Sequence, residues 1–256
     1  MTDPAALARL YDVDVAEDPG DLDLYRALAA RTGGPILELA AGTGRLAVPL
    51  AAGGYAVTAV DRDPAMLARA RDAASRAGVR PEAITLVEAD IRGLNLPDAG
   101  SFRLAIIALN SLLLLGRRDK QRAAIATLAR HLAPGGLAVV DVWQPDADDL
   151  ARFDGRLILE YAGRPGEDGA EVTKVAAATH DASSQVVDLT TIYDEGKPGE
   201  PPRRWTRTDR LRLVSADELR GFAEDAGLDI EVIAGGYDLE PSGAGGDRAI
   251  LVAVRR

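Results

Sequence analysis

No cysteine occurs among the 256 residues. Disulfides, thiolate metal ligands and cysteine nucleophiles are therefore excluded. Aromatic residues are scarce at 4%, while apolar residues as a whole reach 47%. Ala, Leu and Val must fill most of the core, a composition suited to helices packed on a parallel sheet. Only 2 histidines are present, so His131 and His180 are the whole supply of imidazole for proton transfer. Basic charge is also short: 30 Lys and Arg against 40 Asp and Glu give a formal net charge of -10. That field repels a phosphate backbone and argues against nucleic acid as a partner. No run reaches membrane-spanning length, and the opening MTDPAALARLYDVDVAEDPG lacks the basic start and apolar segment of a secretory leader. A soluble cytoplasmic protein without membrane contact is expected. The acids, though plentiful, show no metal-ligand spacing, and no metal is expected.

What is there is organised around residues 35–70, PILELAAGTGRLAVPLAAGGYAVTAVDRDPAMLARA. An apolar run from residue 36 meets Gly42 and Gly44, and a helix is expected over 44–52, so that bare backbone can approach a ligand at a strand's carboxyl end. A second strand over 56–60 ends at Asp61, whose carboxylate is placed to bind a ribose diol. Glu38 lies inside the first strand, before the glycine turn. A carboxylate there either ties the loop amides together or meets an ammonium group, and the two readings are compatible. Asp90, at the exit of a strand over 84–87, suits an adenine amine with Ile91 as the apolar wall, or is a solvated turn residue. A nearly all-apolar run over 102–109 predicts a central strand with Asn110 and Ser111 at its carboxyl end. A helix over 119–132 and a strand over 137–142 follow, and the repeated βα alternation predicts a doubly wound parallel sheet.

Two flanking regions complete the plan. Helices over 4–11 and 22–31 precede the first strand, and Tyr11 and Tyr25 on them either pack in the core or touch ligand from a lid. Past Trp143, β-rich segments over 156–162, 171–180, 185–193 and 204–213 are separated by hairpin punctuation and predict an antiparallel flap. SADE at 215–218 reads as a capping box, and strands over 229–235 and 248–254 close the fold as a hairpin. The expected domains are 1–143 with 214–256, in which 1–33 supply lid helices, and an inserted flap over 144–213. His131, near a helix end, is read as a structural imidazolium opposing the helix dipole. His180 in the flap is the candidate general base. Trp143, Tyr237 and Tyr11 are candidate walls of an acceptor pocket, and Trp205 is expected to anchor the flap to the core.

Gly42, Gly44 and Ala47 also fit the GxGxxA pattern of NAD(P)-dependent oxidoreductases, and a non-catalytic nucleotide-fold protein is a further alternative. The order and spacing of ILELAAGTGRLAVPLA, VTAVDRDPAMLARAR, ITLVEADIRGL and HLAPGGLAVVDVW, however, resemble the class I S-adenosylmethionine-dependent methyltransferases of the small-molecule type, which modify sugars, amines or natural products. The resemblance is close over roughly residues 20–143. It implies a seven-stranded, mostly parallel Rossmann-like sheet with an antiparallel final strand, and S-adenosyl-L-methionine as cofactor. It also implies that Glu38, Ala40, Gly42 and Gly44 contact the methionine part, and Asp61 the ribose, with Arg62 and Met66 beside the adenosine. By the same likeness Asp90 and Ile91 meet adenine, and Asn110 and Ser111 open onto sulfonium and acceptor. Ala40 stands where the family usually has its first glycine. The implied reaction is methyl transfer to N or O of a small molecule by in-line displacement, which positioning alone can largely catalyse. A monomer and a homodimer both suit the flap.

Overall fold

A computed structural model describes residues 3–17, 19–197, 199–240 and 246–256. In chain order the elements are α1 (Pro4–Asp14), α2 (Leu22–Thr32), β1 (Ile36–Leu39), α3 (Ala47–Ala52), β2 (Val57–Asp61), α4 (Pro64–Arg76), β3 (Ile84–Glu88), β4 (Phe102–Ile107), α5 (Arg118–His131), β5 (Leu132–Trp143), α6 (Ala147–Arg152), β6 (Ile158–Pro165), β7 (Glu171–Asp181), β8 (Val186–Gly196), β9 (Arg203–Arg212), α7 (Ala216–Asp225), β10 (Leu228–Ala234) and β11 (Arg248–Arg255). They form two compact units. Among the described residues no helix is long and apolar enough to cross a membrane.

The larger unit comprises Gly20–Gln144 and Val214–Arg256. Its seven strands lie in the order β10-β11-β5-β4-β1-β2-β3. Pairs from β5 to β3 are parallel, whereas β11 runs antiparallel to both β5 and β10. The Rossmann-like order and the antiparallel last strand are as the sequence implies. Strand alternation of period two places Ile36 of β1, Leu104 and Ile106 of β4, and Leu137 and Val139 of β5 in one buried cluster with Leu24, Tyr25 and Leu28 of α2 and Leu50 of α3. By that same period Glu38 and Asp141 belong to the α2-covered face, two acids inside an apolar layer. Local signals set the helix ends: Asp63 accepts from the Ala65 amide ahead of Pro64, and Ser215 accepts from the Glu218 amide. The Glu218 carboxylate also reaches Arg118 of α5 at 2.6 Å.

The glycine turn is longer than its spacing suggests, because α3 begins at Ala47 and not at 44. His131 also differs from expectation. It is fully buried, its Nε2 accepts from the Leu96 amide at 3.1 Å, and its Nδ1 lies 2.7 Å from the Thr127 carbonyl. An Nε2 that accepts leaves the proton on Nδ1, so the ring is neutral, and burial lowers its pKa further. It is structural, as expected, but as a hydrogen-bonded neutral ring.

The smaller unit contains the N-terminal residues through Pro19 together with Pro145–Leu213. Its antiparallel sheet has the order β6-β7-β8-β9. α1, expected with the parallel-sheet domain, belongs here because its apolar stripe and its charges both match this sheet. Ala6, Leu10 and Val13 pack on Val172, Tyr193 and Trp205. Arg9 forms a two-pronged ion pair with Glu195, and Asp14 accepts from Tyr161 Oη at 2.7 Å, Tyr193 Oη at 2.6 Å and Lys174 Nζ at 3.1 Å. Trp205 thus anchors α1 to its own sheet. α6 was not anticipated, although Asp146 and Asp149 form a full capping box that the PDADD stretch spells out.

Candidate active site

Backbone strain marks the carboxyl ends of β1 and β4. Ala40 has φ 60°, Leu109 φ 45° and Asn110 φ 66°, left-handed conformations that cost a side-chain-bearing residue about 1–2 kcal/mol. Gly42 at φ 57° and Gly44 at φ 83° share the turn after β1. The two glycines do different jobs. The half-buried Gly42 donates its N–H to Asp61 Oδ2 at 2.8 Å, which ties the turn to the end of β2. A Cβ on Gly44 would lie 2.9 Å from Val48 Cγ2 and 3.1 Å from Ala70 Cβ. Gly44 therefore serves the contact of turn and α4. Gly44→Ala is expected to cost about 2 kcal/mol from crowding and positive φ, read as a lowered midpoint of thermal unfolding.

Beneath the turn lies a buried polar group of four residues. Glu38 is 4% exposed and Tyr25 is 0% exposed. Glu38 Oε2 and Tyr25 Oη both lack a hydrogen-bond partner. Burial raises the Glu38 pKa to about 8, against the opposing charge of Arg45 and the Ala47 amide. Burial likewise raises the Tyr25 hydroxyl well above its ordinary value, helped by the charges of Asp141 and Asp21. Arg45 of the turn grips the fully buried Asp21 at the start of α2 with two bonds of 2.6 and 2.7 Å. This ion pair fixes α2, and with it Tyr25, against the turn.

Asp61 is held from both sides. Oδ2 takes the Gly42 amide and Oδ1 takes the Asp63 amide at 2.9 Å, which aims the carboxylate while leaving lone pairs for a further donor. Arg62 is exposed and Met66 half-buried, on the turn and first helical residues after it. Asp90, one strand further on, is exposed, and Arg92 clasps it through Nε at 2.8 and 2.9 Å and through Nη2. That hydrogen-bonded clasp holds the Asp90 pKa down at about 2, and Arg62 adds to it from nearby. Asp90 is therefore an ionised, paired acid, and the partner two residues along was overlooked. Ile91 is buried beside it. An open cavity of about 670 Å³ adjoins, lined by Asp90, Arg92, Leu94, Asn95, Asp119 and Lys120.

At the exit of β4 the structure brings together residues that spacing does not connect. Asp141 of β5 is fully buried and accepts from Arg248 Nε at 2.6 Å, Tyr237 Oη at 3.1 Å and the Leu109 amide at 3.2 Å. The Arg248 guanidinium also lies 5.3 Å from the centre of the Tyr237 ring. Asn110 Oδ1 accepts from the Trp143 amide at 2.6 Å and from Arg248 Nη2 at 3.2 Å, so that oxygen is engaged within the protein. The half-buried Ser111 turns back through its amide to the Ala108 carbonyl at 3.1 Å. Asp141 and Arg248 were missed. The available signal was a lone acid in LAVVDVW, the same kind that marks Glu38.

Tyr11 and His180 lie in the smaller unit. Tyr11 is half-buried on α1. His180 of β7 faces Val187 of β8 in register, and its Nε2 is buried without a partner.

A family model described as a methyltransferase domain matches residues 36–136. Among known proteins, the chain is 26% identical over 235 residues to the cypemycin N-terminal methyltransferase of a Streptomyces species, covering 91% of this chain and 86% of that one. It is 27% identical over 184 residues to dTDP-3-amino-3,4,6-trideoxy-alpha-D-glucopyranose N,N-dimethyltransferase of Streptomyces venezuelae, covering 72% and 71%. It is 31% identical over 218 residues to "Putative methyltransferase YqeM" of Bacillus subtilis (strain 168), covering 82% and 79%. The solved CcbJ methyltransferase from Streptomyces caelestis superposes with a TM-score of 0.76 at 25% identity over 94% of this chain and 98% of that one. The SAM-bound amino pentose methyltransferase CalS10 from Micromonospora echinaspora superposes at 0.67, with 23% identity over 97% and 92%. With its strained strand exits, its acid-lined glycine turn and these relatives spanning most of its length, the chain belongs to the S-adenosylmethionine-dependent methyltransferases.

Proposed function

We propose that this chain transfers a methyl group from S-adenosylmethionine to the nitrogen of a small-molecule amine. The observation that carries the donor's place is the pair of buried, unpartnered atoms beside the glycine turn, Glu38 Oε2 and Tyr25 Oη. An acceptor and a hydroxyl so placed suit the ammonium and carboxylate of an amino-acid tail, since a buried polar atom without a partner is costly until a ligand supplies one. Ala40, Gly42 and Gly44 shape the turn along that tail. Asp61, aimed by two amides, would hold the ribose diol. Met66, Arg62 and Ile91 flank the adenosine, and Asp90 would meet the adenine amine while keeping Arg92. Bound there, S-adenosylmethionine supplies a methyl group already activated by its sulfonium charge. What remains for the protein is to hold the acceptor in line and exclude water.

The choice of nitrogen rests on relatives named for an N-terminal amine and for an amino sugar. The protein's negative field also favours a cationic acceptor. Ser111 and the amide nitrogen of Asn110 stand at the β4 exit, with Tyr237 and Trp143 as proposed walls. His131 is spent on structure, which leaves His180 of the smaller unit as the remaining imidazole for a role as proton acceptor. Nothing in these relatives favours the nicotinamide alternative. The test is turnover of methyl-labelled S-adenosylmethionine against amino sugars, peptide N-termini, phenols and hydroxylated sugars, alongside thermal shift with S-adenosylhomocysteine. Label is expected on amines, with a raised unfolding midpoint. Label on oxygen acceptors alone would refute the nitrogen assignment, and no thermal shift would refute the donor site.

A further inference from the structure

The connection from β3 to β4, residues 89–101, contains no helix or strand, so no regular ladder of its own fixes its path. It nevertheless carries Asp90, Ile91 and Arg92, and it forms one wall of the cavity of about 670 Å³ whose other wall is α5, at Asp119, Lys120 and Ala123. The last turn of α5 grips it. Thr127 Oγ1 donates to the Arg92 carbonyl at 3.2 Å, Arg130 Nη2 donates to the Leu94 carbonyl at 2.7 Å, and His131 Nε2 accepts from the Leu96 amide at 3.1 Å. Positions 127, 130 and 131 are i, i+3 and i+4, which share one helix face, while 92, 94 and 96 alternate along the connection. Three helix side chains thus meet three backbone groups, one at every second residue. The contacts brace one another as well: Arg130 Nη2 reaches Thr127 Oγ1 at 3.2 Å, and His131 Nδ1 lies 2.7 Å from the Thr127 carbonyl. The His131 carbonyl takes the Gly100 amide at 2.9 Å and closes the far end. Thr127, His131 and Leu94 are buried, where a polar group left without its partner is costly, so the grip is not readily exchanged for water.

We propose that Thr127, Arg130 and His131 are positioning residues for the adenine of the methyl donor. The inference rests on the reading that Asp90 accepts from the adenine amine with Ile91 beside the ring. The Asp90 carboxylate is itself aimed by Arg92, through the Arg92 amide at 2.9 Å and through its side-chain Nε at 2.8 Å. Whatever holds the Arg92 backbone therefore holds the carboxylate, and Thr127 bonds that backbone directly. Because α5 supplies both the grip and the facing wall, it also sets the spacing of the two walls. A staple that served stability alone would leave the choice of base untouched, whereas this one acts on it.

The test compares S-adenosylhomocysteine with S-inosylhomocysteine, in which a carbonyl replaces the adenine amine and sets a second acceptor against the Asp90 carboxylate. Calorimetric titration of the wild type is expected to show the adenine form bound about tenfold tighter or more, the worth of a hydrogen bond to a charged group. In Thr127→Val and Arg130→Met the preference is expected to fall to about twofold, with KM for S-adenosylmethionine raised about tenfold and kcat little changed, as for binding lost equally from ground and transition states. Thr127→Ser and Arg130→Lys, which keep the hydroxyl and a cationic donor, are expected to restore the preference. Arg122→Met, at an exposed position of the same helix paired with Asp225, is the control and is expected to keep it. Arg130 is exposed, so its variants decide the matter even where Thr127→Val, at a fully buried position, fails to fold. Adenine preference retained in Arg130→Met, or both analogues weakened equally, would overturn the positioning role and leave the donor site standing. A wild type that binds both analogues alike would remove Asp90 from the adenine and the inference with it, and a wild type that binds neither would overturn the donor reading itself.

Discussion

Without cofactor, the protein is expected to lose stability through Glu38 by about 1.4 kcal/mol per pH unit between the ordinary carboxylate range and pH 8. The folded carboxyl has its pKa raised from 4.5 to about 8. Between those values the folded chain holds a proton that the unfolded chain has already released, so raising the pH draws the equilibrium toward the unfolded state. The contribution is fully present below 4.5 and is lost as the pH passes through about 8. Glu38→Gln removes the titration, and the difference between wild-type and variant stability, from denaturant unfolding at a series of pH values, should show that slope. A pH-independent difference would sink the assignment. The same residue predicts a binding signature. If the donor's ammonium binds the ionised carboxylate, S-adenosylhomocysteine binding near neutral pH releases close to one proton, seen as dependence of the calorimetric heat on the buffer's ionisation enthalpy. Glu38→Gln should abolish that release and weaken binding about 100-fold, as expected for loss of a buried charge-assisted bond.

Arg248→Met is expected to destabilise the protein by about 3–5 kcal/mol, because it strands a carboxylate in the interior. Asp141 is fully buried, the Arg248 side chain is only 12% exposed, and the Tyr237 hydroxyl and Leu109 amide would be the remaining donors. For a chain of this size the midpoint of thermal unfolding should fall on the order of 10 °C. Adding Asp141→Leu removes the stranded charge, and the double variant should regain about half of the loss, which a thermal or denaturant double-mutant cycle measures. Recovery is partial because Tyr237 and the left-handed Leu109 lose their acceptor. A single variant as stable as wild type would show that the pair does not hold the β4 exit together.

These two acids show how far local pattern reaches. Glu38 stood out because it precedes a glycine turn within one βαβ unit, and Asp61 because it closes the next strand of the same unit. Asp141 carries the same signal, an acid in an apolar run, but its meaning lies in Arg248, 107 residues away in sequence. Nothing local to LAVVDVW indicates that the chain returns as an antiparallel strand with a guanidinium at that level. Arg45 with Asp21, 24 residues apart, was hidden for the same reason.

Period-two and helical alternation, glycine placement and capping residues act over a few residues, and by themselves they determined the parallel sheet, its closing hairpin and the flap, while the resemblance of four ordered motifs to a known family supplied the cofactor. The tertiary structure alone decided which polar groups meet. It moved α1 to the flap unit, made His131 a neutral donor to Thr127, paired Asp90 with Arg92, turned Gly44 to packing against α4, and engaged the Asn110 oxygen with Trp143 and Arg248. Each of these outcomes depends on burial and on partners brought close by folding, since a charge in water needs no partner and the same charge in the interior does.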